Sequence, residues 1–115
     1  MTTILIVEDE APIRELLAYV LRDLGYQVEE AINGREAIEL AEEHRPDLVI
    51  SDVMMPVMGG PELCRWVKRE LAPAPPVILT SSIGVHVARG TGADAFVRKP
   101  FDLEELEQAV RQYVH

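Results

Sequence analysis

Acidic, hydroxyl and ammonium side chains stand at the ends of four short apolar stretches of this sequence. Glu8 and Asp9 follow the first stretch, and Asp52, Thr80 and Lys99 end or follow later ones. If these ends meet, three carboxylates repel one another, so a pKa must rise or a cation must bind. Mg²⁺ suits such a site because it prefers hard oxygen ligands and is typically held by one or two carboxylates. Lys99 adds a fixed positive charge.

A soft-metal site is not indicated by the residues that could form one. Cys64 lies within a predicted helix, and the three histidines, His44, His86 and His115, are scattered along the chain. A lone cysteine also excludes an internal disulfide. The candidate chemistry therefore rests on oxygen ligands and one lysine.

Asp52 is the residue to which the other features point. Residues 47–51 form an apolar run without polar alternation, which is typical of a strand buried on both faces of a parallel sheet. Functional crevices of open α/β sheets lie outside the carboxyl ends of the strands, where Asp52 would stand. An aspartate that merely opens a turn before Pro56 is the alternative, and spacing alone does not separate the two.

Strand and helix patterns alternate along the whole chain. Runs rich in β-branched and apolar residues predict strands at residues 3–7, 26–32, 47–51, 76–80 and 95–98. Helical periodicity predicts helices at about residues 12–24, 34–44 and 60–71, and a last helix after Asp102. A fourth helix, over Ile83 to Thr91, is expected to be short or irregular because two glycines interrupt it. Five alternations with right-handed crossovers indicate a parallel, three-layer α/β sandwich.

The predicted helices carry inward apolar stripes and capping signals. The stripe of the first helix is Ile13, Leu16, Leu17, Val20, Leu21 and Leu24, and that of the last is Leu103, Leu106, Val110 and Tyr113. Asn33 with Glu36, and Asp102 with Glu105, have the spacing of capping boxes. Each helix should therefore cover one face of the sheet.

Composition limits the classes of function. The 115 residues, 48% of them apolar, predict a single domain over residues 1–115. A formal net charge of −9 argues against direct binding to nucleic acid or to an anionic membrane. No apolar segment is long enough for a membrane span or a signal peptide, so a cytoplasmic location is expected.

Five motifs in order resemble the receiver domain of two-component response regulators, the phosphoacceptor domain of the chemotaxis-regulator type. They are Glu8-Asp9, Asp52-x-x-Met55-Pro56-x-Met58-Gly59-Gly60, Thr80, Gly92-Ala93-Asp94 and Lys99-Pro100-Phe101. The resemblance covers essentially the whole chain. It implies a doubly wound, flavodoxin-like (βα)5 fold with a parallel sheet of order 2-1-3-4-5.

The resemblance also implies a role for each acidic residue. Asp52 would accept a phosphoryl group from the phosphohistidine of a histidine kinase or a phosphotransfer protein. Asp9, Asp52 and the backbone carbonyl of Met54 would bind Mg²⁺ directly, and Glu8 would hold the ion mainly through water. Phosphoryl transfer depends mostly on positioning and charge neutralisation, which a cation and Lys99 could supply.

The resemblance implies that three further residues take part in binding and switching. Lys99 and Thr80 would contact phosphoryl oxygens, and Thr80 and Phe96 would move together on phosphorylation to control a downstream effector domain or protein. A plain core position is the alternative for Phe96, because an aromatic side chain in a buried strand is common. Pro100 is a candidate for a cis peptide bond. The resemblance implies a switch that assists the transfer of the phosphoryl group to its own aspartate and later removes the group by autodephosphorylation. Such a protein is not a conventional enzyme.

Two functions from other classes remain open at this point. A Mg²⁺-dependent phosphatase or hydrolase could use the same acids, but the sequence has no Walker-type glycine loop and no Asp-x-Asp motif after the first strand. A receiver-like interaction scaffold without phosphorylation is expected to lack one of the key residues, and both Asp52 and Lys99 are present.

Overall fold

Strands and helices alternate along the chain, as predicted. The computed structural model describes residues 1–82 and 90–115. The elements are β1 (Thr3–Val7), α1 (Ala11–Asp23), β2 (Gln27–Ala31), α2 (Gly34–Glu43), β3 (Leu48–Asp52), α3 (Gly60–Glu70), β4 (Val77–Ser81), β5 (Ala95–Arg98) and α4 (Leu103–Arg111). The expected short helix over Ile83 to Thr91 falls mainly outside the described residues. None of the helices in the described ranges has the length and apolar character needed to cross a membrane.

The five strands form one parallel sheet in the order β2-β1-β3-β4-β5, which confirms the predicted topology. β1 and β3 are neighbours, with Val7 opposite Ser51, and Asp52 is opposite Thr80 on β4. The chain leaves β1 towards one side of the sheet and β3 towards the other. The carboxyl ends of these strands therefore open into the crevice where such folds bind ligands.

Two apolar cores, one on each face of the sheet, hold the central strands in place. The first joins the sheet to α2 and α3 and includes Leu5, Val7, Val49, Leu79, Leu63 and Val67. The second joins it to α1 and α4 and includes Ile4, Ile6, Ile50, Ile78, Leu21 and Leu106. Because β1, β3 and β4 are buried on both faces, the residues at their ends are fixed relative to one another, and the three-layer prediction is confirmed.

Two residues of the predicted apolar stripes do not face the core. Leu16 is 51% exposed and Leu103 is 42% exposed. The buried stripe of α1 is formed by Leu17, Ala18 and Leu21, and Leu16 lies about 100° around the helix from Leu17. Leu103 is the first residue of α4, ahead of the buried Leu106. The inward placement of both residues was therefore wrong.

The predicted helix caps are present. The Asn33 side chain accepts a hydrogen bond from the Glu36 N–H at 2.9 Å, and the Glu36 carboxylate accepts one from the Ile32 N–H at 3.1 Å. The Asp102 side chain accepts a hydrogen bond from the Glu105 N–H at 2.7 Å. These caps satisfy backbone donors that a helix start otherwise leaves without partners, so they fix where α2 and α4 begin.

Asp94 anchors the amino end of β5, at the end of the sheet away from the acidic crevice. Its Oδ2 atom accepts hydrogen bonds from the Val77 N–H at 2.8 Å and from Lys68 Nζ at 2.6 Å. The Tyr113 hydroxyl donates a hydrogen bond to the Asp94 carbonyl at 2.8 Å. Asp94 thereby ties α3, β4 and the end of the chain to the start of β5, whose other end leads to Lys99.

Candidate functional site

Three carboxylates converge at the carboxyl ends of β1 and β3. Glu8 follows β1 and is 1% exposed, whereas Asp52 ends β3 and is 8% exposed. Asp9 lies beside them and is open to solvent. One carboxylate oxygen from each residue lies within 4.8 Å of the others. This is the convergence expected if β1 and β3 are neighbours.

Lys99 reaches into the same site from the end of β5. Its Nζ atom lies 2.8 Å from Glu8 Oε1 and 3.5 Å from Asp52 Oδ2, and its side chain is 17% exposed. The shorter contact is to Glu8, although the sequence had placed Lys99 opposite the acids without choosing between them. One ammonium group against three carboxylates leaves the site with a net negative charge.

The pKa values of the buried groups follow from this geometry. Burial raises the pKa of Glu8, and the charge of Asp52 adds to that effect, while Lys99 and the Glu10 N–H oppose it. Burial likewise raises the pKa of Asp52 against the charge of Lys99, with Asp9 adding to the rise. Burial disfavours the charged form of Lys99, but the hydrogen bond to Glu8 and the charge of Asp52 outweigh it and raise the Lys99 pKa. Any added positive charge at the site would therefore stabilise the ionised forms of Glu8 and Asp52.

The donor set fits a small hard cation. All the available side-chain donors are carboxylate oxygens, which Mg²⁺ prefers. One oxygen from each of the three acids lies within 4.8 Å of the others, so Asp9 and Asp52 are close enough to hold one such ion together. No other group of three or more potential ligands lies together within residues 1–82 and 90–115.

Met54 belongs to the loop that follows β3. Its backbone forms a hydrogen bond with the Asp52 carboxylate, which lowers the Asp52 pKa but does not outweigh burial. The Met54 side chain is 65% exposed. This loop therefore bends over the carboxylate, with the Met54 backbone close to it.

Thr80 lies on β4 beside Asp52, Phe96 lies one strand further on β5, and Pro100 follows the end of β5. Thr80 is 2% exposed and is the register partner of Asp52, and its carbonyl accepts a hydrogen bond from the Val53 N–H at 2.9 Å. Phe96 is the register partner of Leu79 and packs, partly buried, against the core under α2 and α3. The Lys99-Pro100 peptide bond is cis. Their roles in binding and switching remain predictions.

Val57, in the loop between Asp52 and α3, is a feature that the sequence did not reveal. Its φ is 74°, and it is the one non-glycine residue with positive φ among the residues described. A β-branched side chain is strained in this left-handed region, where glycine and asparagine are common. The Val57 side chain is 68% exposed, so burial does not compensate for the strain.

Replacing Val57 by asparagine should therefore stabilise the protein. We expect Val57→Asn to raise the free energy of unfolding by about 1 kcal/mol, because asparagine tolerates positive φ. Urea denaturation followed by circular dichroism measures this difference. Met54→Asn, in the same loop at a residue without positive φ, should change stability by less than about 0.5 kcal/mol. A Val57→Asn protein no more stable than wild type would contradict the assigned strain.

Comparison with known proteins places this geometry in a family. The family model described as the response regulator receiver domain matches residues 4–111. The receiver domain of a signal transduction histidine kinase from Syntrophus aciditrophicus is 41% identical, with a TM-score of 0.91 over 99% of this chain and 90% of that one. The response regulator TrrA from Thermotoga maritima, solved in complex with Mg²⁺-BeF, is 33% identical, with a TM-score of 0.90 over 99% and 100% of the two chains.

Curated relatives agree with the structural ones. The transcriptional regulatory protein PdtaR of Mycobacterium tuberculosis is 46% identical over 93% of this chain and 54% of its own length. The chain spans about half the length of the response-regulator relatives that it matches, and 8% of the length of one histidine kinase. The sequence, the sheet topology and the family match agree, and the chain belongs to the response-regulator receiver domains, the phosphorylation-based signalling switches of two-component systems.

Proposed function

We propose that Asp52 is the residue that accepts the phosphoryl group, from the phosphohistidine of a histidine kinase or a phosphotransfer protein. The observation that carries this assignment is the position of Asp52 at the end of β3, with Lys99 Nζ at 3.5 Å and oxygens of Glu8 and Asp9 within 4.8 Å. Asp9 is more exposed and lies outside the strand, and Glu8 is already bound by Lys99. Asp52 therefore combines fixed position with nearby positive charge.

The cation of this proposal is Mg²⁺, held by Asp9, Asp52 and the Met54 carbonyl, with Glu8 bound through water. When bound, Mg²⁺ neutralises phosphoryl charge and orients the transferring group. The water-mediated role of Glu8 is supported by its existing contacts, since Oε1 bonds to Lys99 at 2.8 Å and Oε2 accepts the Glu10 N–H at 3.1 Å. Both oxygens of Glu8 are thus engaged before any ion binds.

In the proposed reaction an Asp52 oxygen attacks the phosphorus while the bond from phosphorus to the histidine nitrogen breaks. The imidazole leaves, and Asp52 becomes an acyl phosphate. Lys99 and Thr80 bind oxygens of the transferred group, in line with the largely electrostatic nature of phosphoryl transfer. In autodephosphorylation water attacks the same phosphorus, the bond from phosphorus to the Asp52 oxygen breaks, and inorganic phosphate and the Asp52 carboxylate are released.

The output of the switch is proposed to run through Thr80 and Phe96. Thr80 neighbours Asp52 in register, and Phe96 lies on the next strand beyond it, opposite Leu79. A hydroxyl drawn towards the phosphoryl group would leave space that the partly buried aromatic ring can enter. A downstream effector domain or protein reads the change.

We place this single domain, residues 1–115, in the cytoplasm, a proposal supported by the free, buried Cys64.

Mapping of the phosphorylated residue tests the proposal. The protein is incubated with acetyl phosphate in the presence of either Mg²⁺ or EDTA, and acyl phosphates are then reduced with borohydride before peptide mass spectrometry. We expect one modified residue, Asp52, and modification that depends on Mg²⁺. Modification of Asp9 in place of Asp52, or equal modification in EDTA, would refute the assignment.

A further inference from the structure

The backbone of Glu8 is held by more contacts than its position after β1 requires. Its N–H donates to the Ala31 carbonyl at 3.0 Å, which continues the pairing of β1 with β2. Its carbonyl, beyond the last residue of β1, accepts a hydrogen bond from Arg14 Nη1 at 3.0 Å. Glu8 is 1% exposed, so this carbonyl has little access to water. Arg14 therefore satisfies a polar group that the sheet leaves over.

Arg14 is itself anchored to the edge strand. Its Nε atom lies 3.6 Å from Glu30 Oε1, and its side chain is 16% exposed. Arg22, two helical turns further along α1, forms an ion pair with the other oxygen of Glu30 at 3.3 Å and donates a hydrogen bond to the Val28 carbonyl at 3.0 Å. Two arginines on one face of α1 thus share one carboxylate. They differ in which backbone carbonyl they hold, that of Glu8 or that of Val28.

We infer that Arg14 is a positioning residue for the cation site. It touches none of the proposed ligand atoms and acts through the Glu8 backbone, which carries one acid and leads directly to Asp9. The planar Arg14 guanidinium hydrogen-bonds the Glu8 carbonyl and pairs with Glu30 at the same time, which fixes the loop relative to β2. Without it the buried carbonyl loses its partner, and the loop can turn towards water. The inference rests on the proposed cation site.

The charge of Arg14 and its positioning role predict opposite effects on cation affinity when Arg14 is removed. Arg14 carries a positive charge near an acidic site, so its removal by charge alone should tighten cation binding. Loss of the Glu8 carbonyl contact should instead weaken binding, because the acids are no longer held in place. Residues that orient metal ligands from outside typically change metal affinity by 10- to 100-fold when replaced. The direction of the change thus separates the two explanations.

Binding of Mn²⁺, used as a spectroscopic probe in place of Mg²⁺, tests the inference without any phosphorylation. Free Mn²⁺ is measured by electron paramagnetic resonance, with Mg²⁺ as competitor. We expect Arg14→Met to raise the Kd for Mn²⁺ about tenfold. Arg22→Met is the matched control, because it also removes one positive charge from α1 and one ion-pair partner from Glu30. It should leave the Kd within about twofold of the wild-type value. Urea denaturation should show comparable losses of stability for the two variants.

A lysine variant keeps the test decisive if Arg14→Met does not fold. Arg14→Lys retains the charge but not the planar fork, so we expect weaker Mn²⁺ binding than in wild type. Unchanged or tighter binding in Arg14→Met, unchanged binding in Arg14→Lys, or equal weakening in Arg22→Met would overturn the positioning role. Wild-type protein that binds no Mn²⁺ would instead refute the proposed cation site, so the two failures are distinguishable.

Discussion

Lys99→Ala should slow phosphorylation by acetyl phosphate about a hundredfold in saturating Mg²⁺. The Lys99 ammonium is the one cationic side chain in contact with Asp52 among the residues described, at 3.5 Å from Oδ2. Removing one group that stabilises charge in a transition state typically costs 10²- to 10³-fold in rate. The measurement is the initial rate of protein modification, followed by intact-protein mass spectrometry.

The same variant should be less stable, and more so at higher pH. Folding raises the pKa values of Glu8 and Asp52, so the folded protein binds more protons between the unfolded and folded pKa values, and stability falls as pH rises through that window. The pKa of Lys99 is also raised, so its stabilising effect is complete below its unfolded value of about 10.4 and is lost only above it. Without Lys99 the folded pKa values of Glu8 and Asp52 rise further, so the pH range over which these two acids lower stability extends upwards. We expect a loss of about 3 kcal/mol at pH 7.5 and a smaller loss at pH 5.

Lys68→Ala provides the control for Lys99→Ala. Lys68 is similarly shielded, with 28% side-chain exposure, and pairs with Asp94 at 2.6 Å at the opposite edge of the sheet. Its loss should lower stability without a tenfold change in the phosphorylation rate. A Lys99→Ala rate within threefold of wild type, or the same rate loss in both variants, would show that Lys99 does not stabilise the transferring phosphoryl group.

The sequence predicted the fold well because buried parallel strands leave an unambiguous pattern. The apolar runs that became β1, β3 and β4 are buried on both faces, and each lies within one residue of its predicted bounds. The errors, at Leu16 and Leu103, lie at the margins of helical stripes. Periodicity indicates the direction of an apolar face, but its width depends on the packing partner, which the sequence alone does not supply.

The site was predictable at the level of residue positions and not at the level of contacts. Strand ends placed Glu8, Asp9, Asp52 and Lys99 together, because parallel strands end at the same edge. The shorter contact of Lys99 with Glu8, and the hydrogen bond of Arg14 with the Glu8 carbonyl, depend on side-chain rotamers. Long flexible side chains have many rotamers of similar energy, and sequence spacing does not select among them.

Gly60→Ala should be the most destabilising single-methyl change at the site, by about 3 kcal/mol. A Cβ atom on Gly60 would overlap the Asp52 carbonyl oxygen and lie 3.0 Å from Val53 Cα. The backbone of Asp52 cannot yield easily, because it pairs with Thr80 in the sheet and Val53 N–H bonds the Thr80 carbonyl. The start of α3 would have to move away, although Leu63 and Val67 hold that helix in the core. Overpacking of this kind typically costs 1–3 kcal/mol, and here the atoms that the new methyl group meets all belong to the backbone.

Two other glycines separate this steric effect from the general cost of replacing glycine. Gly59→Ala places Cβ 3.0 Å from one carbonyl oxygen, that of Val53, at an ordinary φ of −79°. Gly25→Ala meets no atom within 4 Å but keeps a φ of 98°, so it should cost only the strain of that conformation, about 1 kcal/mol. Urea denaturation of the three variants should rank Gly60→Ala clearly last in stability. If Gly60→Ala loses no more stability than Gly25→Ala, close contact between α3 and β3 does not constrain Asp52, and its position must depend on the sheet alone.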